Sequence, residues 1–297
     1  MSDVLVLERI TRNAALGLRF WDTATATDLV DDLSVAVFAA DNPQGRQPAI
    51  ENPSGIYVAH KVPGLRAFEF GFDDPLAGSP PNTVSRRIEV TDPASRFLPV
   101  AFDAALPLGG LFTFVAPWLS PPQPVSLPAL GGLPPLPLVE RVPLFAAPAR
   151  PLPEPLGVVY AQLRSDVSQK AAAWCMLGVS LDGVLCGLGL ADVEGRVAAM
   201  FPFPEPPRRV FASPSPAHDD FAWDLTLSAY WSPALRQTPA PPIPDLAEIL
   251  RGLDTPINVI TSRTPPGVPL SLSYRQPVTV RTAGATGPDA PYLFVSA

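Results

Sequence analysis

The sequence predicts an all-β chain: two small antiparallel β-sandwiches joined by an extended proline-rich arm, with one short helix near the C-terminus. Three observations predict it. Proline supplies 41 of the 297 residues, and each interior proline costs a helix about 3 kcal/mol, so a mostly helical fold is excluded. Short apolar or alternating runs recur between Gly, Pro, Asn and Asp turn signals, the pattern of strands in a small sandwich. Residues 117–155 hold 13 prolines and only four charged residues, which divides the chain into a sandwich at 1–116, the arm at 117–155 and a second sandwich at 156–297.

In the first segment strands are expected at residues 16–22, 33–38, 55–60, 86–91 and 96–102. The Asn-Pro-Ser-Gly run ending at Gly55 and the Asp92-Pro93 pair serve as turns between them. In the second segment they are expected at 157–163, 171–181, 184–190, 196–201, 223–230, 257–261, 270–274 and 278–281. Asp182-Gly183 is a hairpin signal, because the favoured two-residue turn needs positive φ at both positions. The helix is read at 245–252. Leu246, Ile249, Leu250 and Leu253 fall at helical spacing, Asp245 is placed to cap, Glu248 is the third helical residue, and Gly252 lies near the end.

Proline fixes φ and offers no N–H, so the arm is expected to run as polyproline-like chain. It is too apolar for a solvated linker. Trp118, Leu127, Leu133, Leu136, Leu138 and Phe145 are candidate interface residues that need a groove to cover them. A groove between the flanking domains and a groove on a neighbouring subunit, another copy included, both remain open. The cysteines are expected to stay free. With Asp182-Gly183 as a two-residue loop, Cys186 faces Val179 and Cys175 faces Leu190, which sets the two about 13 Å apart, beyond the roughly 7 Å Cα limit for a disulfide.

Several chemistries are excluded. The net charge is −7 and the basic residues are scattered, so there is no footprint for nucleic acid. No window reaches about 18 uncharged apolar residues without turn formers, so no membrane insertion is expected. Two cysteines and an N-terminus without a basic, apolar leader point to the cytoplasm at synthesis. His60 and His218, the only imidazoles, fall in different segments and lack the close-spaced partners of a zinc site. His218-Asp219-Asp220 reads as a solvated loop. Gly178-Val-Ser180 lacks the final glycine of a nucleophile elbow, and Ser180 falls inside a strand. The expectation is no catalytic residue, no cofactor and no metal.

The two segments follow one plan, in which an acid or amide precedes a glycine by three residues and a strand follows: Asn52 to Gly55, and Asp192 to Gly195. Asp182, Gly183, Asp192, Gly195 and Gly55 are therefore the turn-defining residues. Residues 158–204, with the run Gly189-Leu-Ala-Asp192-Val-Glu-Gly195-Arg-Val, resemble a carboxypeptidase-regulatory-like, or transthyretin-like, sandwich, and residues 16–102 resemble a more divergent member. The runs at 17–22, 54–60 with 63–66, and 96–99 further resemble uncharacterised proteins encoded beside contractile injection systems, the phage-tail-like particles of bacteria. That resemblance implies a non-enzymatic structural component of such a particle, at its cap or baseplate, with other subunits as partners. The alternatives are a tandem-sandwich adhesion module for glycan or protein, and a transthyretin-fold enzyme. Intradiol dioxygenases of that architecture bind iron through two Tyr and two His, which would require His60 and His218 to converge from separate segments, and hydroxyisourate hydrolases carry a terminal Tyr-Arg-Gly-Ser signature that this chain lacks.

Overall fold

The periodic runs become strands, and their hydrogen-bonded order makes two main sheets, of six and nine strands, with three smaller ones among the described residues. The computed structural model describes residues 13–29, 32–71, 83–116, 118–119, 121–132, 134–204, 221–264 and 269–296. The first part contributes β1 (Leu16–Leu18), β2 (Phe20–Asp22), β3 (Thr27–Leu29), β4 (Ser34–Ala39), β5 (Asn42–Glu51), β6 (Tyr57–Ala59), β7 (Val84–Thr91) and β8 (Val100–Leu106), with a one-turn helix α1 (Arg66–Glu69). The arm contributes β9 (Val115–Ala116), β10 (Gln123–Pro124), β11 (Ser126–Leu127), β12 (Leu136–Pro137) and β13 (Val142–Leu144). The last part contributes β14 (Leu156–Ser165), β15 (Met176–Leu181), β16 (Val184–Leu190), β17 (Arg196–Pro202), β18 (Ala222–Tyr230), helix α2 (Leu246–Gly252), β19 (Pro256–Ile260), β20 (Leu270–Ser273), β21 (Val278–Val280) and β22 (Leu293–Ser296). The fold is all-β, with two separate sheets that nearly close into barrels and a short helix near the C-terminus.

The first sheet has the antiparallel order β1-β6-β5-β4-β7-β8. After β8 the chain returns along β1, where Leu108 N–H donates to Ala15 C=O and Phe112 N–H to Gly17 C=O, both at 2.9 Å, and this closes the loop. The second sheet runs β16-β15-β18-β19-β22-β14-β17. Its end strands meet by packing instead of by a ladder. A Cβ at Gly189 would lie 2.8 Å from Ala199 Cα, so only glycine lets β16 approach β17 this closely. One buried apolar cluster runs through both bodies and the arm, from Leu16 and Phe102 through Leu127 and Phe145 to Leu177 and Leu293.

The structure corrects several expectations. The second sheet is mixed, because β14 pairs parallel with β21 and β22. The hairpin keeps the expected register only beside its turn, where Leu181 faces Val184 and Ser180 faces Leu185. A β-bulge then makes Cys186 the extra residue, and beyond it Val179 faces Gly187 and Met176 faces Leu190. Both cysteines are free and buried. Burial pushes the Cys175 thiol up to about 12 and raises Cys186 as well. Residues 171–175 are not strand, because Trp174 takes φ +60° and folds the Ala-rich run into a turn. Arg19 splits the expected strand 16–22 into β1 and β2, which pair with different neighbours. α1, β5 and β22 were not expected. β5 carries Pro43 and Pro48, which mask it as a loop, yet it pairs with both β4 and β6.

The turns follow one hydrogen-bond plan. Asn52 Oδ1 accepts from the amides of Ser54 and Ile56, and Asp192 Oδ1 from those of Glu194 and Arg196, while Gly55 and Gly195 donate to the Asn52 and Asp192 carbonyls at 3.0 Å. The sequence aligned these two, and a third copy stands at Asp92-Pro-Ala-Ser-Arg96. There Asp92 accepts from the Ala94 and Arg96 amides, and Arg96 Nε donates back at 2.9 Å, as Arg196 Nε does to Asp192 at 2.8 Å. The fourth residue is left-handed each time, with φ of 70°, 79° and 56° at Gly55, Gly195 and Ser95. Asp182 and Gly183 take φ of 49° and 81°, as the hairpin signal requires.

Two predictions follow from these turns. A methyl at Gly195 would overlap the Leu163 carbonyl, whereas nothing stands within 4 Å of one at Gly183, where only the left-handed backbone opposes it. In urea unfolding, Gly183→Ala should cost about 1 to 2 kcal/mol and Gly195→Ala clearly more. Burial works against the charge of Asp92, but the bonds from Arg96 and the Ala94 amide outweigh it and hold its pKa below the usual carboxylate value. A carboxyl with a depressed folded-state pKa contributes stability above its unfolded pKa and loses it as pH falls. The stability lost in Asp92→Asn should therefore be full at pH 7 and shrink below about pH 4.

Candidate functional site

The arm is the candidate site, and the chain itself supplies its groove. It does not run as uniform polyproline chain. β9 pairs antiparallel with β10, and β11 with β12. Val125 N–H donates to Phe114 C=O at 2.9 Å, and Leu138 N–H donates to Val125 C=O at 2.7 Å. These short ladders use the few amides that lie between prolines, which is how a proline-dense segment can pair at all.

The last part of the arm is inserted as a strand. β13 lies parallel to β2, with Val142 N–H donating to Arg19 C=O at 2.8 Å and Thr23 N–H to Leu144 C=O at 3.2 Å. On its other side Leu98 N–H donates to Phe145 C=O and Ala147 N–H to Arg96 C=O, both at 2.9 Å. Peptide groups alternate direction along a strand, so Pro143 faces away from β2. Its missing N–H therefore breaks no bond to that strand.

An ion pair locks this strand in place. Arg150 Nη1 and Nη2 donate to Asp22 Oδ1 and Oδ2 at 3.1 and 2.7 Å, with the two side chains 10% and 2% exposed. Asp22 also accepts from the Ala24 amide and the Thr25 hydroxyl, and the Arg150 guanidinium lies 4.7 Å from the Phe97 ring centre. Each charge is therefore matched by several partners, the condition under which a buried pair holds.

The arm and helix α2 stitch the two bodies together. Trp118 is half-buried and its Nε1 donates to Asp254 at 3.3 Å; Gly131 N–H donates to Leu185 C=O at 2.7 Å. Asp245 caps α2 by accepting from the Ala247 amide at 2.8 Å, as the sequence indicates. Its other oxygen pairs with Arg87 of β7, and the Pro244 carbonyl accepts from the Ala101 amide of β8 at 3.0 Å. Burial opposes the charge of Arg87, but Asp245 and Asp103 more than offset it, so its pKa is raised. Glu248, the third helical residue, accepts from Ser232 Oγ at 2.7 Å.

The described arm residues singled out from the sequence are thus placed within the chain. Leu127, Leu138 and Phe145 are wholly buried, Leu136 is partly buried, and Leu133 lies outside the described residues. Of the two groove options, the intramolecular one is realised for these side chains. Sequence reasoning missed Asp22, Arg150 and Arg87. Arg150 carried a signal as one of four charges in a 39-residue apolar stretch. His60 is exposed, His218 lies outside the described residues, and Ser180 sits in β15. Among the described residues no three His, Cys, Asp or Glu side chains converge as metal ligands, and no helix is long and apolar enough to cross a membrane. No family model, no curated protein and no solved structure matches this chain.

Removing either partner of the lock leaves a buried charge uncompensated, so Arg150→Met and Asp22→Asn should each cost about 3 kcal/mol or more in urea unfolding. The double variant should cost clearly less than their sum. Phe145→Ala should cost about 3 to 5 kcal/mol.

Proposed function

We propose that this protein is a non-enzymatic structural component of a phage-tail-like contractile injection particle, made in the cytoplasm and placed at the cap or baseplate. Its partners in this reading are other subunits, including copies of itself. The two bodies are, in the same reading, divergent copies of one small transthyretin-like or immunoglobulin-like sandwich joined by the arm. The shared turn plan at Asn52–Gly55 and Asp192–Gly195 supports descent from one unit, with the third copy at Asp92 inside the first body. The resemblance of residues 17–22, 54–66 and 96–99 to proteins encoded with such particles supplies the setting.

The observation that carries the functional reading is the seam. Arg87 with Asp245, Ala101 with Pro244, Trp118 with Asp254 and Gly131 with Leu185 hold both bodies against one another, while the inserted strand β13 anchors the arm to the first. A chain so fastened suits a passive, load-bearing subunit better than one whose halves must move around a substrate.

High-molecular-mass particles sedimented from a lysate of the native host, and identified by mass spectrometry, should contain this chain at fixed stoichiometry beside a sheath and a tube protein. Recovery of the chain only as free protein at every stage of particle production contradicts the reading.

A further inference from the structure

A cavity of about 570 Å³ opens where three distant parts of the chain meet. The turn after β2 supplies Thr23, Ala24 and Ala26, the arm supplies Leu130 to Gly132, and the β15–β16 hairpin, the end of β17 with the two residues after it, and Trp223 of β18 supply the rest. The volume lies in the range of small-molecule sites, and such sites favour the junctions between structural units. Its wall is largely apolar and includes an aromatic pair, with the Phe203 ring stacked on Trp223 at 5.6 Å between centres and 27° between planes. The pair is held from behind by Tyr274, whose ring centre lies 4.9 Å from that of Phe203.

The charge of the wall narrows the occupant. Among the described lining residues there is one carboxylate, Asp182, and no Lys, Arg or His. Asp182 is exposed and fixed in place: its backbone is held in the hairpin turn, and its Oδ1 accepts from the Asp224 amide at 2.9 Å. Among the described lining residues an anion meets a like charge and no counter-charge. A cation meets the opposite charge of the exposed Asp182 and two aromatic rings of the wall, both of which favour it.

We propose that this cavity binds a small cationic ring compound, its ring against Phe203 and Trp223 and its cationic group toward Asp182. The site shares Gly131, whose N–H donates to Leu185 C=O, with the arm's attachment to the second body, but Phe203, Trp223 and Asp182, which would hold the compound, lie outside the arm.

Three probes of matched shape test it on the full-length chain by isothermal titration: 1-naphthylmethylammonium, neutral 1-naphthylmethanol and anionic 1-naphthoate. The ammonium should bind at one site per chain, roughly tenfold tighter than the alcohol, with the carboxylate weakest. Asp182→Asn keeps a residue that tolerates left-handed backbone and should remove the preference for the ammonium while leaving the alcohol unchanged. Val184→Trp, at a half-exposed position on the wall, should weaken all three probes at least tenfold. Equal binding of ammonium and carboxylate overturns the proposal. So does binding that neither variant alters, or the absence of saturable binding by the ammonium. Concentration-dependent dimerisation that the ammonium does not disturb but Val184→Trp abolishes also overturns it, because a second copy then occupies the space.

Discussion

The insertion of residues 142–147 between β2 and residues 96–98 is the constraint on which the rest of the structure depends. A buried strand must satisfy its peptide groups, and a proline-rich one has few N–H groups to offer. The chain meets this by placing Val142 and Ala147 where donors are needed and Pro143 where one is not. Phe145, Leu144 and Val142 then fill the core of the first body with no exposed surface to speak of. Because this strand leads within ten residues into β14, which pairs with β17, β21 and β22 of the second sheet, its seating also fixes where the second body begins.

The seam adds specificity to that attachment. Apolar burial of Leu127, Leu138 and Phe145 supplies most of the driving force, at about 25 cal/mol per Å², but it is indifferent to register. The bidentate contact of Arg150 with Asp22 permits only one alignment of the arm, and the double use of Asp245, as helix cap and as partner of Arg87, fixes α2 against β7. A slip of the arm by one residue would leave both charges buried without partners, a cost of several kcal/mol.

Much of the local structure was legible. β16, β17 and β18 follow from alternation and turn chemistry, and α2 from its spacing and its Asp245 cap, because these depend on neighbouring residues. What the sequence did not disclose depends on distance along the chain. Asp22 and Arg150 are 128 residues apart, and no local pattern pairs them. β5 was hidden because Pro43 and Pro48 suggested a loop, and the bulge at Cys186 because a two-residue turn fixes register only until an extra residue intervenes. The parallel pairing of β14 with β21 and β22 was hidden for the same reason as the ion pair. For the arm, composition showed that it needed a groove but could not say whose.

The central claim is that the arm is a structural strand of its own chain, and amide hydrogen exchange on the dilute full-length protein tests it most directly. The Val142, Ala147, Leu98 and Val125 amides, all donors in the arm's ladders, should exchange as slowly as the paired amides of β14. Exchange of those four at the rate of an unstructured chain, while β14 stays protected, would contradict the account.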